Sequence, residues 1–245
     1  MIDAVFLKRA CQAGPRGGRP VVVLNTENLE RAGFVEQMAG RTGPLRITPF
    51  FVRFILDPAS ILRENPDFQF ARLGLNPEEQ MFFFTCYRNT SLILNGLIKN
   101  GTTAGADLLS DQWVSDIASF LAKLEAGSWT LPKSSDPAES RAEARKLKSI
   151  GLIADRKGKI DPQSITRFFI RFIIDPIGFL KAYPTIENPL QGRKRADVAG
   201  FYVWAHKNII GALEKVMDFE RAAGAEFSTE HRVNMIYNML HLAAV

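Results

Sequence analysis

Residues 47–58 read Ile-Thr-Pro-Phe-Phe-Val-Arg-Phe-Ile-Leu-Asp-Pro, an apolar run interrupted by a single cation, Arg53. A segment apolar on every side belongs at the centre of a core. Thr48 stands where a helix N-cap would, and Asp57 precedes a proline, which disfavours the helical region for the residue before it. The pattern predicts a short buried helix that stops at Asp57, with Asp57 and Pro58 opening the next helix as cap and first residue. The same pattern returns as Ile165-Thr166-Arg167-Phe168-Phe169-Ile170-Arg171-Phe172-Ile173-Ile174-Asp175-Pro176, at an offset of 118.

Aligned without gaps, residues 33–66 and 151–184 share 14 of 34 positions, where unrelated stretches of average composition share about two. Gly33, Gly40 and Pro44 match Gly151, Gly158 and Pro162, so turn positions recur along with the apolar ones. At an offset of 119, Phe82, Asn89 and Leu94 face Phe201, Asn208 and Leu213. Ser110-Asp111 with Val114, Ile117 and Leu121 then faces Thr229-Glu230 with Val233, Ile236 and Leu240. The chain reads as mainly α, in two tandem pseudo-symmetric helical modules of about 100 residues, each with room for one short β-hairpin. The first module occupies 1–126 with its repeat core at 27–126, residues 127–144 form a connector, and the second, more basic module occupies 145–245.

Within a module the pattern predicts a short helix ending at Gly33, or at Gly151 in the second copy. A polar turn between Phe34-Val35 and Ile47, or between Leu152-Ile153 and Ile165, suits a small hairpin. Asn76-Pro77-Glu78-Glu79 then opens a helix through Phe82, Phe83 and Phe84 toward Gly96, matched by one over about 194–223. The last helix puts Trp113, Ile117, Phe120, Leu121 and Leu124 on one face, as Val233, Ile236, Tyr237 and Leu240 do in the second copy.

Composition adds limits. The 245 residues are 46% apolar and 23% charged, which is neither a disordered nor a membrane-embedded profile. No apolar stretch reaches the roughly 18–20 residues of a membrane span. Eighteen Phe against four Tyr and three Trp make most aromatic rings core residues, because Phe has no polar handle. The N-terminal Met-Ile-Asp-Ala-Val-Phe-Leu-Lys-Arg is too short and too early in its charges for a secretory signal, so a soluble cytoplasmic protein is expected. Cys11 and Cys86 lack CxxC or histidine spacing and read as small buried hydrophobes.

Charge is uneven. Residues 1–126 hold 13 basic and 13 acidic residues, which leaves 18 and 13 of the chain's 31 and 26 to residues 127–245. The whole net charge of +5 belongs to residues 127–245. Residues 141–171 alone carry nine basic and three acidic residues. Arg145, Lys146 and Lys148 on a helix, followed by Arg156, Lys157 and Lys159 in a turn, suit a phosphate backbone, and Arg193, Lys194 and Arg195 extend the set.

Catalytic chemistry is weakly signalled. His206, His231 and His241 have no metal-ligand spacing and read as structural or solvated, so no metal site and no cofactor are expected. Gly14-Pro15-Arg16-Gly17-Gly18 lacks the phosphate-loop patterns, and there is no Gly-x-Ser-x-Gly elbow. The expected class is non-enzymatic, with an inter-module enzyme site using the histidines as a remaining option. Arg53 and Arg171 are the same polar exception on the same apolar element. They read either as a repeated anion or partner site, or as structural pairs with Asp57 and Asp175 four positions on.

Leu29-Glu30-Arg31-Ala32-Gly33-Phe34-Val35, a Gly-bearing turn and then Leu45-Arg46-Ile47-Thr48-Pro49 resemble the recognition helix and wing of a winged-helix domain. Leu147-Lys148-Ser149-Ile150-Gly151-Leu152-Ile153 with Arg156-Lys157-Gly158-Lys159 repeats the likeness, over about 20 residues per copy. The resemblance implies a DNA-binding function, as in tandem winged-helix regulators and bacterial condensin accessory subunits. Two functional expectations follow. The first is a nucleic-acid-binding protein that uses the basic second module. The alternative is a self-associating coat, nucleocapsid or scaffold subunit whose duplicated modules form the assembly interfaces.

Overall fold

Thr48 and Thr166 each join two elements with one hydroxyl. The computed structural model describes residues 26–37, 45–99, 107–125, 148–149, 151–154, 162–183 and 196–242. Helix α1 (Glu27–Arg31) closes at Gly33, whose φ of +74° lies in the left-handed region that glycine enters without a Cβ clash. Strands β1 (Val35–Gln37) and β2 (Leu45–Ile47) pair antiparallel with Val35 opposite Ile47. The Thr48 hydroxyl donates to the Gly33 carbonyl and accepts from the Phe51 N–H at 3.2 Å. It thereby ties the hairpin to the first turn of α2 (Pro49–Leu56). The Asp57 carboxylate accepts from Ser60 N–H at 3.1 Å and caps α3 (Pro58–Glu64).

A 3-10 turn at Phe70–Arg72 leads to α4 (Pro77–Lys99), which continues a turn beyond the expected stop at Gly96, and then to α5 (Asp111–Glu125). From residue 151 onward the same local bonds recur. Gly151 has φ +77°, the Thr166 hydroxyl donates to the Gly151 carbonyl, and Phe169 N–H donates to Thr166 at 3.2 Å. Here α6 (Arg167–Ile174) ends at Asp175, which caps α7 (Pro176–Ala182) through Gly178 N–H at 2.9 Å. Helices α8 (Ala196–Ala223) and α9 (Thr229–Leu242) complete the order. In the second stretch Ile153 and Ile165 form an antiparallel bridge, at the positions that match Val35 and Ile47 at the offset of 118; the residues between them at 155–161 lie outside the described residues. Among the described residues the fold is mostly helical with one small two-stranded sheet.

Removing the Thr48 hydroxyl unties both elements. Thr48→Ala is expected to lower unfolding free energy by about 1–2 kcal/mol, the range for lost threonine caps, with urea midpoints as the readout. A change under a few tenths would mean that the cap is idle.

The N-terminus of α4 is fastened twice. Glu79 N–H donates to Asn76 Oδ1 and Asn76 N–H donates to Glu79 Oε2, both at 2.9 Å, a reciprocal capping box. The fully buried Glu79 carboxylate also accepts from Asn28 N–H at 2.8 Å and Leu29 N–H at 3.3 Å. These donors belong to the first turn of α1, where a carboxylate is favoured by the helix dipole.

Phenylalanine fills the middle, as its abundance predicts. Phe34 stacks on Phe51 with centroids 4.4 Å apart, and Phe70 lies 5.1 Å from Phe83. One continuous core runs from Leu29 to Leu240. Long helices α4 and α8 pack against each other at its centre. Short helix α3 crosses over to pack on α8, and its counterpart α7 crosses over to pack on α4. Residues of α4 are buried around its whole circumference because it takes partners from both sides.

Candidate functional site

The outer face of α8 forms one wall of a groove of about 1,020 Å³, whose other walls are the segment 62–72, residues 162–163 and the end of α9. Trp204, Lys207, Asn208, Gly211, Lys215 and Asp218 line it at steps of 3, 4, 7, 11 and 14, a single helical stripe. Phe68 and Arg72 face them across the gap.

Local bonds hold the walls. Lys207 Nζ donates to the Leu73 carbonyl. The Glu214 carboxylate accepts from Ala71 N–H at 3.4 Å. Burial pushes the Glu214 carboxyl above its ordinary value, against the N–H groups of Ala71 and Phe70 and the charge of Arg72. Gly211 permits the close approach, since a Cβ there would lie 3.0 Å from the Ala71 Cβ. Arg221 pairs with Asp218 at 2.9 Å. The lining holds four cations, Arg72, Lys207, Lys215 and Arg221, against the two carboxylates Glu214 and Asp218. This mixture of cations, aromatic rings and amides suits an anionic polymer carrying planar groups.

Of the basic residues singled out from the sequence, Lys148 is helical and half-buried. Arg145, Lys146, Arg156, Lys157, Lys159, Arg193, Lys194 and Arg195 lie outside the described residues, as do Cys11 and the Gly14–Gly18 stretch. Pro162 and Gln163, three and four positions after Lys159 in the sequence, line the groove.

Arg53 and Arg171 occupy equivalent positions but pair differently from the expectation. Arg53 meets Asp111 at the start of α5, and Arg171 Nη1 lies 3.3 Å from Glu230 at the start of α9. Asp57 and Asp175 are spent as helix caps, and the guanidiniums reach outward to the next acidic residue. Asp57 and Asp175 line a smaller cavity of about 260 Å³ together with Ser60, Thr229 and Arg232. There burial raises the Asp175 carboxyl above its usual value, Asp57 adds to the rise, and Gly178 N–H and Arg171 oppose it.

The histidines separate into distinct environments. His231 is exposed beside Phe227, with ring centroids 4.6 Å apart. His241 Nδ1 lies 2.8 Å from the Tyr237 carbonyl, and its ring stacks on Tyr237. Arg167 covers the same Tyr237 ring at 3.7 Å. His206 is fully buried, and neither ring nitrogen has a hydrogen-bond partner, against the expectation of a satisfied or solvated histidine. Cys86 is buried as expected. Among the described residues no group of His, Cys, Asp or Glu could hold a metal ion, and no helix is long and apolar enough to cross a membrane.

Reasoning from sequence missed the groove. The α8 stripe was detectable as mixed polar and aromatic residues at helical spacing within 196–223. Phe68 and Arg72 had no such signal, because only packing brings them opposite α8. No protein-family model matches the chain, and no curated protein or solved structure matches it either.

Proposed function

We propose that this protein binds nucleic acid, with the groove on α8 receiving the strand and the basic run of the second module holding its phosphates. The observation that carries this is the groove itself, with four cations around Trp204 and Phe68; the Arg156–Lys159 run precedes its lining residues Pro162 and Gln163 in the sequence. Aromatic faces accept bases of any sequence, and cations follow the backbone. The helix-then-hairpin order of α1, β1 and β2 agrees with the winged-helix resemblance and would place a wing on the first copy.

We read the chain as an internal duplication with modules near 27–126 and 145–245. Support comes from the shared sequence positions, the matching hydroxyl bonds of Thr48 and Thr166, and the equivalent pairs Arg53–Asp111 and Arg171–Glu230. The reciprocal crossing of α3 and α7 is what two related modules packed about a pseudo-twofold would produce.

Fluorescence anisotropy on a labelled oligonucleotide across a salt series tests the function. The logarithm of the affinity is expected to fall linearly with log salt. Lys157→Glu with Lys159→Glu should make the slope shallower by about two, roughly 0.9 per lost phosphate contact. Absent or salt-insensitive binding would overturn the reading.

A second reading, self-assembly, is favoured by Phe219, which is 54% exposed on α8, and by the exposed Tyr183. Light scattering on chromatographed protein separates the two. Large particles free of nucleic acid that disperse in Phe219→Ser favour assembly, while a protein that stays small without nucleic acid rules assembly out.

A further inference from the structure

His206 sits in an aromatic box at the packing of α4 on α8. Its ring centroid lies 5.0 Å from Phe83, 5.2 Å from Phe70, 5.3 Å from Tyr87, 5.9 Å from Phe54 and 6.2 Å from Tyr202. These rings come from α2, the 3-10 turn, α4 and α8 itself. The titratable groups among them are Tyr87 and Tyr202. Burial pushes both phenols up, so both are neutral throughout the acid range. The Tyr87 hydroxyl is used, donating to the Phe172 carbonyl at 3.1 Å. No carboxylate stands among the surrounding rings to balance an imidazolium. A buried polar group without a partner carries a desolvation cost, and a buried unpaired charge carries a far larger one.

The position couples this box to the groove. Trp204, Lys207 and Asn208, two residues before and one and two after His206, line the groove on the opposite side of α8. Lys207 and Glu214 bond to Leu73 and Ala71, the segment that carries the box residue Phe70. Phe70 thus touches His206 on one side, and its neighbours Ala71 and Arg72 line the groove on the other.

We propose that His206 is an acid-sensitive latch: proton uptake requires the α4–α8 packing to open, which loosens α8 and the groove wall bonded to it. The opening stands on the box alone; the effect on ligand rests on the nucleic-acid reading. Desolvation pushes the His206 pKa down to about 3 in the closed core, against about 6.5 for a solvated imidazole. The open form therefore binds the extra proton. Its population is constant above pH 6.5 for this group and rises about tenfold per pH unit as pH falls from 6.5 toward 3.

Amide hydrogen exchange on the full chain between pH 7.5 and 4.5, expressed as protection factors at fixed ionic strength, tests the latch. Protection along α4 and α8 in the wild type is expected to drop about tenfold per unit below pH 6.5. His206→Phe should remove that slope, while His231→Phe should keep it. His206→Gln, polar but without a titrating ring, repeats the test if the phenylalanine variant does not fold. The same slope in His206→Phe or His206→Gln as in wild type, or a flat wild-type profile, overturns the latch. Oligonucleotide affinity over the same pH range distinguishes the two readings. If α8 loosens as expected while measurable affinity stays constant, the latch stands and the groove loses its assignment.

Discussion

Arg232→Ala is expected to cost about 3–5 kcal/mol of unfolding free energy, because it leaves a buried carboxylate without its cation. Glu220 and Arg232 are 5% and 9% exposed and meet in two parallel contacts of 2.7 and 3.1 Å. Glu220 also accepts the Phe227 N–H at 3.1 Å, so the carboxylate closes the turn between α8 and α9. Two further charges surround the pair. Arg232 contacts the exposed Glu226 at 3.3 Å, and Arg63 of α3 reaches Glu226 at 2.7 Å and Glu220 at 3.8 Å. Contacts with Arg232 and Arg63 hold the Glu226 carboxyl below its usual value. Arg63 can partly replace the missing cation, which sets the expectation nearer the lower bound. Replacing both partners by apolar residues of similar volume should recover most of the loss, since nothing charged then remains buried. Urea unfolding of the two single variants and the double variant measures this. A loss below about 1 kcal/mol for Arg232→Ala would show the pair to be ordinary surface electrostatics.

Phe83→Ala is expected to be as damaging, at about 3–5 kcal/mol, through lost burial and the cavity left behind. Phe83 is fully buried, with Phe70 at 5.1 Å, Phe51 at 5.4 Å and His206 at 5.0 Å. Four elements meet on this one ring, so the surrounding rings cannot collapse into the space without unseating one another. Phe219→Ala is the control, because its ring is 54% exposed; an exposed substitution of this kind shifts stability within about 0.5 kcal/mol. The comparison is made by thermal and urea unfolding of both variants. Equal losses in the two would mean that Phe83 does not sit where the core needs it. Phe83→Ala also removes a wall of the box around His206, so the acid dependence should flatten along with the loss of stability.

Local rules were legible residue by residue. Thr48 and Thr166 as caps, Asp57 and Asp175 as stops and new caps, and Asn76 with Glu79 at the head of α4 follow from short-range chemistry that needs no tertiary partner. Val114, Ile117 and Leu121, like Val233, Ile236 and Leu240, are buried as their spacing predicts. Asp57 and Asp175 are the acids nearest in sequence to Arg53 and Arg171, yet their carboxylates face N–H donors of the following helix. Asp111 and Glu230 lie 58 and 59 positions away from these arginines, and only packing brings them close. The groove escaped for the same reason: half of it belongs to α8, and the rest is divided among a segment more than a hundred residues earlier, residues 162–163 and the end of α9.

By itself, then, the sequence determined where most helices start, where proline ends the short ones, which faces they bury and that one pattern occurs twice, because capping, proline sterics and apolar period act over a few residues. Tertiary structure decided which helix each apolar face meets. It sent α3 to α8 and α7 to α4, so the two patterns share one core. It also put His206 among rings rather than in water and set Arg72 across from Trp204. Those outcomes depend on how volumes fit between elements far apart in the chain, and no local residue pattern encodes that fit.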